Sequence, residues 1–190
     1  MKAFRHIALL ASLLLAPAIA FAAPGGNWTG GHLGVLLGGN RASSDFTGTE
    51  MAFTANLMAG YDFQLAEHFV LGVDGFYEWN NNKTHDLDHC TNTCSIRFGS
   101  RVYGLSGRAG FPVGSSNQFM PYVRVGYGWY SLSGDLSNDD SSPRYGVGFE
   151  WMSNTGTVSL LIQYTHQKLD LANSGSIKNN NFSIGANFFF

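Results

Sequence analysis

The last ten residues of the chain, 181–190, alternate between apolar side chains and small or polar ones. The apolar positions of this segment are Phe182, Ile184, Ala186, Phe188 and Phe190. A period of two with an apolar outward face is typical of a transmembrane β-strand, whereas in a soluble protein the aromatic run 188–190 would be an aggregation hazard. We therefore predict a membrane strand that closes a barrel, with Phe188 and Phe190 as the signal that an insertion machinery reads.

The first residues have the organisation of a secretory signal peptide. Lys2 and Arg5 are basic, 7–15 is an apolar stretch, and 20–22 reads Ala-Phe-Ala, a small-x-small cleavage site. The apolar stretch is too short for a spanning helix, which needs about 20 residues. We predict a signal peptide over 1–22 and one outer-membrane domain over 23–190.

Alternation of apolar and small or polar residues recurs along the rest of the chain. The eight alternating segments are approximately 28–38, 52–63, 69–79, 102–111, 121–130, 145–151, 158–165 and 181–190. An even number of strands is the rule for bacterial single-chain barrels. The sequence predicts an all-β protein, an eight-stranded antiparallel up-and-down transmembrane β-barrel. A secreted β-sandwich is the alternative.

The predicted connections are alternately short and long, as expected for periplasmic turns and extracellular loops. The short ones are 64–68, 112–118 and 153–156, and the long ones are 40–50, 80–96, 131–144 and 168–180. Aromatic residues cluster near strand ends, where their rings suit the two membrane interfaces. These residues are Trp28, Tyr61, Phe63, Phe69, Trp79, Phe111, Trp129, Trp151 and Phe190.

Several charged or polar residues fall on the inward side of the predicted strands. They are Asp74, Glu78, Arg108, Arg124, Glu150 and Gln163, with Asp62 near the periplasmic end of the second strand. An eight-stranded barrel has an interior just wide enough for side chains, so these charges must pair. We predict that Arg108 and Arg124 bridge Asp74 and Glu150. The network is either a plug that opens by exchanging partners or, the interpretation we favour, a static polar core.

The second long loop contains two cysteines, Cys90 and Cys94. Cysteines of an exported chain pass through an oxidising compartment, so we predict a disulfide that stiffens the loop. A zinc site that adds His85 and His89 is the weaker alternative. In the next loop Asp135, Asp139 and Asp140 form an acidic tip, which either holds a divalent cation or is simply solvated. Residues 173–181 are expected to be flexible.

Short motifs resemble the OmpA transmembrane domain and the related OmpX and opacity-type surface antigens. GYDF at 60–63 with GVDGFYEW at 72–79 resembles the second and third strands, and GRAGFP, YVRVG and GVGFE, beginning at 107, 122 and 146, resemble the next three. The resemblance implies a lumen network of Asp74, Arg108, Arg124 and the position of Gln163, where the family has an inward Glu. The loss of this acid makes Glu150 the better partner for an arginine and argues against a charge-exchange gate.

An enzyme that modifies lipid A is a further possibility for such a barrel. The deacylases of this kind use an outward His and Ser two residues apart on a late strand. Here His166 is followed by Lys168 at that spacing, and Ser174 lies in the predicted loop. We therefore predict no enzymatic activity and no cofactor.

The function that we predict is a structural and surface-interaction role, similar to that of an adhesin or antigen, through four extracellular loops. A narrow porin-like channel is the alternative, because inward glycines can leave a water-filled space. Those glycines are Gly34, Gly38, Gly60, Gly72, Gly104, Gly110, Gly126, Gly128, Gly146, Gly148 and Gly185.

The expected partners follow from location and charge. Removal of Lys2 and Arg5 takes the formal net charge from −2 to about −4, so no basic patch invites nucleic acid. We expect a monomer in the bacterial outer membrane that contacts outer-membrane lipid and lipopolysaccharide. The barrel assembly machinery and a host or cell-surface ligand of the loops are the other expected partners.

Overall fold

The computed structural model describes residues 27–44, 48–83, 97–134, 139–171 and 175–190. The predicted signal peptide 1–22 lies outside the described residues, as do Cys90, Cys94, His85, His89, Asp135 and Ser174. The described residues contain no helix of the length and apolar character needed to cross a membrane.

Eight strands form one closed barrel in which every strand pairs antiparallel with its neighbours in sequence. They are β1 (Gly30–Ser44), β2 (Gly48–Ala66), β3 (Phe69–Lys83), β4 (Arg97–Gly110), β5 (Phe119–Gly134), β6 (Asp139–Met152), β7 (Val158–Leu171) and β8 (Gly175–Phe189). The predicted fold class is confirmed.

The barrel closes where β8 returns to β1. Leu33 is opposite Phe188 and Leu37 is opposite Ile184 in this ladder. At its end the backbones of Gly31 and Phe190 exchange two hydrogen bonds, of 3.0 and 2.9 Å. Closure leaves no unpaired strand edge, which a chain in lipid requires.

Side chains alternate between the two faces of the wall as the sequence pattern predicts. Leu105 and Phe149 on the outer surface are 64% and 61% exposed, whereas Leu36 and Val102 in the lumen are fully buried. A large apolar side chain is stable on the outside of such a wall when lipid surrounds it. The inward and outward sets were predictable because the period is two.

The strands continue further than predicted at the end that carries the long connections. β6 begins at Asp139 rather than 145, and β8 begins at Gly175 rather than 181. Asp139 and Asp140 therefore belong to a strand and not to a loop tip, and most of 173–181 is not the flexible loop that we expected. The reason is that most residues of these extensions are polar in the sequence, so alternation gives no signal while the backbone ladder continues.

Trp28 is not at the membrane interface, contrary to prediction. It lies just before β1 and is fully buried at the short-turn end of the lumen, where its indole Nε1 donates to the carbonyl of Asn117 at 2.8 Å. Trp28 packs with Val70, Met120, Met152 and the partly buried Phe189, a group that we name the terminal cap. Its parity with the buried residues of β1 was the signal for this position.

Candidate functional site

The lumen of the barrel holds a group of six ionisable side chains that we name the lower ionic cluster. Its members, one from each of the strands β1 to β6, are His32, Asp62, Asp74, Arg108, Arg124 and Glu150. All are buried. Four of the six residues of the predicted lumen network, Asp74, Arg108, Arg124 and Glu150, belong to this cluster. Gln163 hydrogen-bonds to it through Arg124, and Glu78 lies in a separate ion pair.

Arg108 connects the carboxylates of Asp62 and Glu150. Its Nε donates to Asp62 Oδ1 at 2.8 Å, its Nη2 contacts Asp62 Oδ2, and its Nη1 donates to Glu150 Oε2 at 2.7 Å. Glu150 also accepts hydrogen bonds from Ser159 and, at 2.6 Å, from Asn187 Nδ2. A planar guanidinium with donors on two edges suits this bridging position, and lysine would not reproduce it.

Arg124 contacts Asp74 and Gln163. Its Nη2 donates to Asp74 Oδ2 at 2.9 Å, and its Nη1 lies 3.2 Å from Gln163 Oε1. The same amide oxygen of Gln163 accepts from the hydroxyl of Tyr122, also at 3.2 Å. Gln163 therefore supplies a neutral acceptor at the place where the resembling family has a carboxylate.

His32 lies between two carboxylates and was not singled out in the sequence. Its Nε2 is 2.8 Å from Asp74 Oδ1, and its Nδ1 is 3.2 Å from Asp62 Oδ2 at an angle outside hydrogen-bond geometry. The described buried side chains include four carboxylates and three guanidinium groups. A proton on His32 makes the number of buried cations equal to the number of anions. Its position on the face of β1 opposite to the outward Leu33 was the available signal.

A second ionic contact, which we name the upper ion pair, joins Glu78 and Arg144. Arg144 Nη2 is 2.5 Å from Glu78 Oε2 and 2.9 Å from the hydroxyl of Thr165. Asn80 Nδ2 donates to the other oxygen of Glu78 at 3.0 Å. Arg144 was not predicted to be inward, because residues 131–144 were expected to form a loop.

An apolar layer separates the lower ionic cluster from the upper ion pair. It consists of Leu36, Met58, Phe76, Val102, Tyr130 and Leu161. Arg124 Nη1 lies 3.0 Å from the sulfur of Met58, and the guanidinium carbon of Arg144 lies 4.8 Å from the ring centre of Phe76. The two arginines thus contact this layer while each is paired with a different acid.

The inward glycines, on which the alternative channel function depends, have atoms of neighbouring residues close beside them. At all eleven positions a Cβ atom would come closer than 3.0 Å to a neighbouring atom. At Gly72 the nearest atoms belong to Asp62 and Arg108, and at Gly148 they belong to Tyr122. Glycine at these positions leaves room for side-chain and backbone atoms of the adjacent strands, which occupy the space that an inward Cβ would take.

His166 lies on the outer surface of the barrel, away from the lumen. Its Nδ1 is 2.9 Å from Asn180 Oδ1, which also accepts from the hydroxyl of Tyr164 at 2.6 Å. In a Ser-His-Asp triad a carboxylate orients the histidine, whereas His166 contacts a side-chain amide. Lys168 is exposed on the same face of β7.

Solved structures of small outer-membrane barrels resemble this chain in fold. Neisserial surface protein A has a TM-score of 0.68 at 20% identity, with 85% of this chain and 98% of that chain covered. The attachment invasion locus protein Ail of Yersinia pestis has a TM-score of 0.58 at 18% identity, covering 85% and 99%. Its complex with the heparin analogue sucrose octasulfate has a TM-score of 0.55 at 19% identity, again covering 85% and 99%.

The family of the chain is established by its sequence. Among curated proteins, no sequence matches this chain. The sequence profile described as "Outer membrane protein beta-barrel domain" matches residues 7–190. This span includes all eight strands, and the closed antiparallel barrel is the architecture that the description requires. The chain therefore belongs to the outer membrane protein beta-barrel domain family, and its location is the bacterial outer membrane.

Proposed function

We propose that this protein is a structural and surface-interaction barrel. Its wall is anchored in the outer membrane, and its extracellular loops contact host or cell-surface ligands. The observation that carries the proposal is the filled lumen. The terminal cap, the lower ionic cluster, the apolar layer and the upper ion pair occupy it in turn. A function that leaves the lumen unused has to act through the outer surface or the loops.

The filled lumen favours this role over a small-solute channel. A solute would have to displace paired charges, and separating one partner of a buried ion pair costs about 3–5 kcal/mol. The six predicted network residues act, in this proposal, as a static polar core. Gln163, in place of the carboxylate that the resembling family has, removes one partner that a charge-exchange gate would use.

We also propose that the protein is not an enzyme. His166 is held by the amide of Asn180, and the position two residues further along β7 is Lys168. A general base needs a nucleophile within hydrogen-bond reach and a group that orients it. The arrangement around His166 supports an interface role for this residue.

The loops are the proposed sites of recognition. The segment 84–96 between β3 and β4 is the longest of the connections at its end of the barrel and contains Cys90 and Cys94. We propose that these two form a disulfide that reduces the conformational freedom of the loop. The fold similarity to a protein named for attachment and invasion, solved with a heparin analogue, supports a test on sulfated surfaces.

We propose that the protein is a monomer and that the barrel assembly machinery inserts it into the membrane. The contact between β1 and β8 closes the wall within one chain, which supports a monomer. Phe188 is 58% exposed and Phe190 is 41% exposed on the outer face of the last segment. These exposed rings are the proposed insertion signal.

The experiment is an adherence assay with bacteria that express the parent or loop variants. Each of the segments 45–47, 84–96, 135–138 and 172–174 is replaced in turn by a tight turn, and the amount of folded barrel is measured by its heat-dependent gel mobility. We expect the parent to increase adherence to epithelial cells or heparin-coated surfaces, and at least one loop variant to abolish the increase at equal barrel levels. Equal adherence of the parent, all variants and cells without the protein would contradict the proposal.

A further inference from the structure

The lumen around the upper ion pair contains a set of carboxamide side chains that we name the upper amide cluster. They come from five strands, β1, β2, β3, β7 and β8, and none is more than 4% exposed. The members are Asn40, Asn56, Asn80, Gln167 and Asn181. A buried carboxamide is costly unless both of its ends have partners, so the nitrogen and the oxygen of each amide have to be accounted for.

The nitrogen end of each amide has a partner, and three of these partners fix the orientation of the amide. Asn80 Nδ2 donates to Glu78 Oε1 at 3.0 Å, and Asn56 Nδ2 donates to Glu78 Oε2 at 3.4 Å. Gln167 Nε2 donates to the backbone carbonyl of Ser142 at 3.1 Å. An ionised carboxylate and a backbone carbonyl only accept hydrogen bonds. The atom that faces away from them in each amide is therefore the oxygen.

The oxygen end of each amide in the cluster is buried and accepts no hydrogen bond. The described side chains have two buried nitrogens without a partner, on His32 and Arg124, and both belong to the lower ionic cluster. The upper lumen therefore has an excess of acceptors that no excess of donors matches. Buried polar groups without a protein partner point to a bound water or ion. A water presents an acceptor as well as donors, whereas oxygens alone satisfy a metal cation, so this excess favours a cation.

The strand register holds three of the amides side by side. Asn40 on β1 is directly opposite Asn181 on β8. Asn80 on β3 is directly opposite Thr54 on β2, whose hydroxyl accepts from Asn181 Nδ2 at 3.2 Å. Directly opposed side chains have Cβ atoms about 4.5–5.5 Å apart. The oxygens of Asn40 and Asn181 are therefore within reach of a common ion, and Asn80 is connected to them through Thr54.

The ligands that the cluster offers are neutral oxygens. The carboxylate beside them, Glu78, is paired with Arg144. Among the described residues, no three His, Cys, Asp or Glu side chains are grouped as metal ligands. Amide and carbonyl oxygens suit hard cations such as calcium, and carbonyl oxygens in a pore also bind monovalent cations. The chemistry of the donor set therefore selects a hard metal cation, which is held weakly because its ligands carry little charge.

We propose that the upper amide cluster binds a hard metal cation, sodium or calcium, through the side-chain oxygens of Asn40, Asn80 and Asn181. Oxygen ligands lie about 2.3–2.6 Å from calcium, which is shorter than a hydrogen bond. An ion can therefore fit between buried oxygens that bulk water does not reach. The ion is structural, since it joins β1, β3 and β8 through the interior. The proposal concerns the lumen and is independent of the surface-interaction function.

The test is thermal unfolding of the refolded barrel in an uncharged detergent, which supplies no ion-binding lipid. The probes are the chlorides of sodium, calcium and, as the reference, tetramethylammonium, at equal ionic strength. Asn40→Leu and Asn181→Leu each remove one oxygen at nearly constant side-chain size, and Asn40→Asp keeps an oxygen and adds a charge. The matched control is Asn154→Leu, an exposed asparagine in the turn between β6 and β7. Heat-dependent gel mobility shows whether each variant is folded.

We expect sodium or calcium to raise the ratio of folded to unfolded protein at least about tenfold over tetramethylammonium, and to do so equally in the parent and Asn154→Leu. The increase should fall below about threefold in the two leucine variants of the cluster. Asn40→Asp should increase the effect of calcium relative to that of sodium, because the charge of the ligands sets calcium affinity. This variant carries the test if the leucine variants do not fold.

Two results would overturn the proposal. Equal stability of the parent in all three salts would mean that the amide oxygens bind no ion and that water is their partner. An unchanged ion effect in the leucine variants, or an unchanged preference between calcium and sodium in Asn40→Asp, would mean that the ion binds elsewhere on the protein.

Discussion

Arg108 on β4 and Glu150 on β6 form an ion pair across the lumen, with 2.7 Å between Nη1 and Oε2. The two strands are not neighbours in the barrel, since β5 lies between them. The contact therefore joins separate parts of the wall through the interior. Together with the bond to Asp62, it makes Arg108 a bridge between two buried carboxylates of the lower ionic cluster.

Substitution Arg108→Met should lower the free energy of unfolding by about 3–5 kcal/mol, because it leaves two buried carboxylates without their cation. The measurement is urea unfolding of the refolded barrel in lipid vesicles. The control is Arg101→Met, where an exposed arginine on the same strand is replaced. We expect the control to change stability by less than about 0.5 kcal/mol. Similar effects of the two substitutions would show that the cluster is not a stabilising core.

Two glycines of β3 provide a matched pair that tests the filled lumen. A Cβ at Gly72 would lie 2.0 Å from Asp62 Oδ1, whereas at Gly75 the nearest atoms are 3.9 Å away. Gly72→Ala should therefore destabilise the barrel by about 1–3 kcal/mol through overpacking, and Gly75→Ala should be close to neutral. The same unfolding assay measures both. Equal stability of the two variants would mean that there is room for a methyl group at Gly72, which would contradict the structure.

The sequence allowed the fold and the facing of most residues to be predicted, because a lipid-facing wall imposes an apolar period of two. Asp74 and Arg124 were assigned inward on this basis, and they are ion-paired at 2.9 Å. The cluster was thus predictable as a set of inward charges, although the connections between its members were not. The pairing of each carboxylate with an arginine depends on the tilt and stagger of the strands. The alternation of residues along the sequence contains no information on either.

Other residues were not predicted correctly, either because the alternation of apolar and polar residues is weak near them or because residue type was given more weight than position. Arg144 lies in a strand extension with few apolar residues, so only its parity with the inward Gly148 and Glu150 marked it as inward. His32 and Trp28 were predictable from their parity in β1. Trp28 was nevertheless assigned to the interface because tryptophan is common there. The burial of its ring with one hydrogen bond to Asn117 shows that residue type was the weaker guide.

The last two aromatic residues should have separable roles. Phe189 contacts Trp28, with 6.1 Å between ring centres, so Phe189→Ser should lower the stability of the assembled barrel by about 1–2 kcal/mol. Deletion of Phe190 removes an outward ring and two backbone hydrogen bonds to Gly31, and should mainly reduce the amount assembled in cells. Thermal unfolding and the folded fraction in outer-membrane preparations measure the two effects. An equal loss of assembly in both variants would count against Phe190 as an insertion signal.

The predicted disulfide between Cys90 and Cys94 can be tested by alkylation of the exported protein under denaturing conditions. We expect no alkylated cysteine before reduction and two afterwards. Replacement of both residues by serine should change stability by less than about 3 kcal/mol, since the closed ring is small. Two reactive thiols before reduction would show that the disulfide is absent. Protection of the thiols that a chelator abolishes would instead favour the zinc site with His85 and His89.

Single-channel recording tests most directly whether the lumen is closed. The refolded parent is compared in a planar bilayer with Arg108→Ala and Arg124→Ala, each of which removes a guanidinium that bridges the lower ionic cluster. We expect no steady current through the parent and measurable current through the variants. A steady, reproducible current through the parent would contradict it, since this requires an open water path where the structure has paired charges and an apolar layer.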